Sequence, residues 1–250
     1  RQPHAEHHRA GLRLPELAPY LPTWIGAAYL EAKMLPNGIA AFQQVVRMTQ
    51  GAQQLDAREK LALAHQLNGD FSAAVNEYEA ILSVARIPSY RARILWEMSL
   101  VLQLMGRTAD AIKTWRDIMT QYPSSPQAHL ALLRSLEAKQ EVSEVQRGMI
   151  NYHNGKYELA QAAFKRALQY KEQYDEVLYW ASLNYLAMNN REDAIRNLDL
   201  LMSTQPNSPR YAEAGIAKAE AQANAGDFSG AIETYRKLVR VLGGRPQSDP

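Results

Sequence analysis

There is no cysteine in the 250 residues, which excludes disulfide staples and thiol chemistry and fits either the cytosol or an extracytoplasmic compartment of a bacterium. An excess of one charge is missing too: 28 Lys and Arg face 26 Asp and Glu, for a net +2, and the signs are mixed along the chain. A phosphate backbone requires a basic stripe, so no nucleic-acid partner is expected. No run of about 18 apolar residues occurs, so no segment reads as a membrane span. Also absent are a Gly-rich phosphate loop, His-Glu-x-x-His and Gly-x-Ser-x-Gly. His65, His129 and His153 stand isolated, and Glu77 with Glu79 and Asp175 with Glu176 read as solvated helix charge. No catalytic residue and no cofactor is therefore expected. One metal-like spacing exists, His4, His7 and His8 at i, i+3 and i+4, and it reads as a polar chain end.

What the chain does have is 46% hydrophobic residues arranged in a repeat. The unit is clearest over 142–170. Ser143 and Gln146 have capping-box spacing, the hydroxyl accepting from the Gln146 amide and the Gln146 side chain reaching back. Gly155 marks a turn, and beyond it Tyr157, Ala160, Phe164, Ala167 and Leu168 form one apolar stripe of a helix. Two antiparallel helices joined at Gly155 follow from this pattern. Gly148 and Ala160 read as the small residues at their crossing.

The same turn position recurs at Lys33, Gly69, Gly106, Asn189 and Gly226. Seven residues before each of the six turns stands a small residue: Gly26, Ala62, Ser99, Gly148, Ser182 or Ala219. Five after stands Gly38, Ala74, Ala111, Ala160, Ala194 or Ala231, and nine after stands Phe42, Tyr78, Trp115, Phe164, Leu198 or Tyr235. Residues 1–21 are an irregular segment expected to pack on the first repeat. Repeats are expected near 22–48, 56–83, 89–123, 143–170, 175–206 and 209–242. The first should place Trp24, Ile25 and Tyr29 on packing faces, and the second should open at Asp56 with Glu59 completing a charged capping box. The third should open at Ser89. Turn-to-turn spacing runs from 34 to 37 residues except for one step of 49 between Gly106 and Gly155. That step holds one extra, unpaired helix near 126–139, capped at Ser125-Pro126.

At Gly148, Gly155, Tyr157, Ala160, Phe164 and Ala167 the chain resembles the tetratricopeptide repeat. The resemblance implies an all-α, right-handed superhelical array of antiparallel helix pairs, an α-solenoid of about twelve to fourteen helices. It implies a non-catalytic scaffold whose concave groove takes a protein or an extended peptide. Family positions on that groove fall thirteen, ten, six, three and two residues before each turn. Carried onto this sequence they give Glu59, Gln66, Arg93, Trp96, Gln103, Tyr152, His153, Glu176 and Tyr179, with Leu63, Leu67, Leu100 and Leu104 among them. The family's clamp for acidic C-terminal tails places Lys, Asn and Arg at these positions, and this chain does not. Trp96, Tyr152 and Tyr179 are the flat aromatics suited to stacking on a peptide side chain or a sugar ring.

A narrower resemblance rests on Val142-Ser143-Glu144-Val145-Gln146-Arg147-Gly148 and Tyr152-His153-Asn154-Gly155-Lys156-Tyr157. This segment is similar to the helical N-terminal region of some bacterial soluble lytic transglycosylases. It implies a periplasmic or otherwise extracytoplasmic location and contact with peptidoglycan glycan strands, the catalytic domain lying beyond this chain. Asp249-Pro250 reads as a helix start, so a further repeat is expected to follow.

Overall fold

The computed structural model describes residues 21–170 and 173–243. They form thirteen α-helices and, among the described residues, no strand. In chain order these are α1 Leu21–Glu31, α2 Leu35–Met48, α3 Gly51–Leu67, α4 Phe71–Val84, α5 Pro88–Leu104, α6 Thr108–Gln121, α7 Pro126–Glu137, α8 Glu144–His153, α9 Tyr157–Tyr170, α10 Tyr174–Ala187, α11 Arg191–Thr204, α12 Tyr211–Asn224 and α13 Phe228–Gly243. The chain divides into two compact units, one ending at Ala111 and one beginning at Ile112.

The turns follow from backbone chemistry. All six predicted turn positions lie in the left-handed region, from φ 57 at Lys33 to φ 83 at Gly69 and Gly226. Each first helix of a pair closes with the amide after the turn residue reaching back five positions, as Asp70 N to His65 O and Lys156 N to Asn151 O do at 2.8 Å. This is the Schellman cap, which satisfies carbonyls left open at a helix end. We call the helix before such a turn the A helix and the one after it the B helix.

In the first unit α1 with α2 and α3 with α4 are antiparallel pairs, and α2 and α4 pack in turn on α3 and α5. Phe42, Leu61 and Ala64 form a buried cluster there with Leu30, Ile39 and Val46 against it. In the second unit α8 to α13 pack in sequence, and the A helices α8, α10 and α12 also touch one another. Its core runs from Val145, Phe164, Val177 and Ala181 to Leu198, Met202, Tyr211, Ala214 and Leu238. Each layer is buried only by its neighbours, as in a solenoid.

α7 is the unpaired helix. Ser125 Oγ accepts from the Ala128 amide at 3.1 Å, and Pro126 fills the first turn. Its end copies an A helix: Lys139 is left-handed at φ 55, and Gln140 N reaches Ser135 O at 2.8 Å. No B helix follows, because the chain enters α8, another A helix, against which α7 packs.

Several expectations require correction. α3 starts at Gly51, without a side-chain cap, so Asp56 is not a cap but sits in the second turn and pairs with Lys60 at 2.6 Å. α5 starts one residue before Ser89, at Pro88, whose ring suits the first helical position. Trp24 and Ile25 are each 51% exposed, so about half of each side chain meets solvent, and Trp24 lines a cleft of about 280 Å³ beside Val45 and Ala52. At α8 only half of the capping box forms: Ser143 Oγ accepts from Gln146 N at 3.2 Å, while the Gln146 side chain lines a cleft of about 260 Å³ bounded by α6, the α7–α8 connection and α8. The small residue at Gly148 has a requirement beyond the helix crossing that the pattern did not show: a Cβ there would lie 2.2 Å from Cε1 of the Phe164 ring. Gly26 meets the Phe42 ring in the same way, at 2.8 Å.

Candidate functional site

The predicted groove residues lie on A helices in both units, and each unit is described by itself. In the first, Glu59 of α3 accepts both guanidinium nitrogens of Arg93 of α5, at 2.6 and 3.0 Å, and the Tyr90 hydroxyl at 2.8 Å. The Arg93 guanidinium lies 5.1 Å above the Tyr90 ring. The Glu59 bond holds the Arg93 pKa above its ordinary value, and burial, followed by the Glu59 bond, raises that of Tyr90. Gln66 Nε2 donates to the Tyr78 hydroxyl at 2.7 Å, and burial pushes that hydroxyl up to about 12. Glu59, Arg93 and Gln66 are therefore committed to holding α3, α4 and α5 in register.

What remains open on this wall is apolar and amide. Leu63, Leu67 and Leu104 are 47%, 56% and 64% exposed. Gln103 is exposed and Trp96 half-buried. No hydrogen bond engages the side chain of either among the described residues.

In the second unit Tyr152, His153, Glu176 and Tyr179 do come together, around a residue that sequence reasoning missed. Trp180 lies 5.6 Å from the Tyr152 ring, 5.1 Å from His153 and 5.5 Å from Tyr179, with edge-on or tilted geometry throughout. Its indole nitrogen donates to Glu176 at 2.9 Å, and the other Glu176 oxygen accepts from Arg210 at 2.8 Å. Arg210 also pairs with Glu213 and lies 5.1 Å above the Tyr179 ring. The Glu176 bond holds the Arg210 pKa above its usual value. Burial lowers that of His153 and raises those of Tyr152 and Tyr179.

Trp180, Arg210 and Tyr90 were absent from the predicted set. A signal existed for Arg210: Glu59 and Arg93 are 34 residues apart, as are Glu176 and Arg210. Opposite charges separated by one repeat length fall on adjacent A helices. The three histidines near the chain start lie outside the described residues. Among the described residues no cluster of three His, Cys, Asp or Glu could hold a metal ion, and no helix is long and apolar enough to cross a membrane.

Two family models described as tetratricopeptide repeat match the chain, one over residues 152–215 and one over residues 94–125. In these two segments the chain is similar to that repeat. No curated protein matches it. Solved structures that the chain is similar to include MamA, at 17% identity over 78% of this chain and 98% of that one, with a TM-score of 0.39. The TPR2AB domain of yeast Sti1, solved with pHSP90, is 12% identical over 90% and 91% of the two chains, with a TM-score of 0.41. A tetratricopeptide repeat protein from Parabacteroides merdae ATCC 43184 is 12% identical over 92% and 94%, with a TM-score of 0.39. The resemblance to lytic transglycosylases gains no support from these matches.

Proposed function

We propose that the chain is a binding scaffold, and that the A-helix wall of its first unit takes an extended peptide. Repeat arrays of this kind present continuous surfaces made of side chains from successive helices. The observation that carries the reading is the pattern of commitment on that wall. Every charged group in the predicted set of this unit is spent within the protein, Glu59 on Arg93 and Tyr90, whereas Leu63, Leu67, Leu104, Trp96 and Gln103 are open. Exposed leucines beside a free amide and a flat indole suit a chain whose side chains are apolar and whose backbone seeks hydrogen bonds. They do not suit a phosphate or an acidic tail, which would need uncommitted cations.

The test is selection of a displayed random twelve-residue peptide library on the purified chain, followed by fluorescence titration of enriched peptides. Trp96→Ala should leave helicity intact and weaken binding by about 1 kcal/mol or more, as loss of an aromatic anchor does. Gln103→Ala should weaken it by roughly 1 kcal/mol. Enriched peptides that bind both variants as tightly as the parent would place the site elsewhere.

A further inference from the structure

α7 ends as an A helix does but leads into no B helix, and this leaves Ser135 without the partner that its position has elsewhere. Counted from the turn, Ser135 stands where α12 has Gln222, whose side-chain oxygen accepts from Thr234 of the B helix α13 at 2.8 Å. Ser135 is 2% exposed, and its hydroxyl makes no hydrogen bond among the described residues. Two other buried serines on A helices turn back onto their own backbone, Ser99 Oγ donating to Trp96 O and Ser182 Oγ to Leu178 O, each at 2.7 Å. A buried hydroxyl without a partner is costly, so Ser135 asks for an explanation.

Ser135 lines the cleft of about 260 Å³ between α6, the α7–α8 connection and α8, and so do Arg116 of α6, Glu141 of the connection and Gln146 of α8. None of these last three side chains has an ion-pair or hydrogen-bond partner among the described residues, and Arg116 and Glu141 do not pair with each other. Opposite charges that line one cleft yet stay apart suit a ligand that carries both signs. Ile112, Met119 and Val142 add an apolar side. Size narrows the class further: at about 30 Å³ per water, 260 Å³ corresponds to roughly nine waters, so the cleft admits a solute of about that many non-hydrogen atoms and no stretch of peptide.

We propose that this cleft binds a free α-amino acid with a small apolar side chain, such as valine. Its carboxylate pairs with Arg116 and accepts from the Ser135 hydroxyl, its ammonium donates to Glu141 and to the Gln146 side-chain oxygen, and its side chain lies on Ile112, Met119 and Val142. The site shares no residue with the peptide wall of the first unit and stands without that reading.

The probe is L-valine, titrated against the whole chain by saturation-transfer NMR beside 3-methylbutanoate, which lacks the amine, and isobutylamine, which lacks the carboxylate. Saturable binding of valine is expected, about tenfold or more tighter than that of either analogue, because each lacks one charge-assisted contact. Arg116→Gln and Glu141→Gln should each weaken valine binding about tenfold, and Ser135→Ala about fivefold. Arg116 and Glu141 are exposed, and circular dichroism of their variants should show helicity equal to the parent. Absence of saturation up to about 10 mM valine, an analogue that binds as tightly as valine, or binding insensitive to both charge substitutions overturns the proposal.

Discussion

Gly148 shows how one position is fixed by another sixteen residues away. A Cβ at Gly148 would stand 2.2, 2.5 and 2.7 Å from three atoms of the Phe164 ring, and Phe164 is fully buried with Val145, Ala167 and Val177 around it. The ring cannot retreat. Gly148→Ala should therefore destabilise by about 1 to 3 kcal/mol, read from urea unfolding, and Phe164→Leu in the same chain should recover part of the loss. A left-handed backbone gives the opposite case at Lys139, with φ 55. Lys139→Gly should stabilise by about 1 kcal/mol, since an L side chain pays for that conformation, with the gain visible as a higher melting temperature. Both positions differ in legibility. The turn glycines could be read because the demand for positive φ is local, and Lys33 and Lys139 show that the site persists without glycine. The ring opposite Gly148 could not, because sequence gives the smallness of a residue but not the atom that requires it.

At the level of helices, the positions where periodicity restarts after a turn were readable, and the starts without a side-chain cap were not. α7 and α8 announce themselves through Ser125 and Ser143, whereas α3 begins at Gly51 after Gln50, which makes no cap bond. Links between A helices were also hidden, because they depend on which faces meet. One of them is sensitive to pH. Ser208, before α12, donates to Asp175 at the start of α10 at 2.6 Å, and this bond holds the Asp175 pKa below its ordinary value. A carboxyl depressed in the folded state contributes stability above its unfolded pKa, near 3.9, and loses it as pH falls through the folded pKa. Ser208→Ala should thus flatten the fall in melting temperature on the acid side of pH 4 and leave the slope between pH 6 and 8 unchanged. Equal acid slopes in variant and parent would remove the bond from the account.

For the molecule as a whole, the all-helical architecture and its repeat were legible because the pattern of small and bulky residues is set by contacts within a repeat and between neighbours. The proposed working surface rests on family position alone. Trp96, Gln103, Leu63 and Leu67 are the residues it assigns to a ligand, and their side chains are uncommitted. Glu59, Arg93 and Glu176 were placed on it equally well, yet the structure spends them on ion pairs one repeat length apart. What decides between ligand and scaffold at such positions is the partner across the interface, which sequence shows only as a period of charge. The claim that matters most is that the open residues of α3 and α5 form the peptide-binding wall. Hydrogen–deuterium exchange of the chain with and without a selected peptide tests it most directly. Added protection confined to the A helices α3 and α5 is the predicted result; protection on the B helices α2 and α4, with α3 and α5 unchanged, would contradict it.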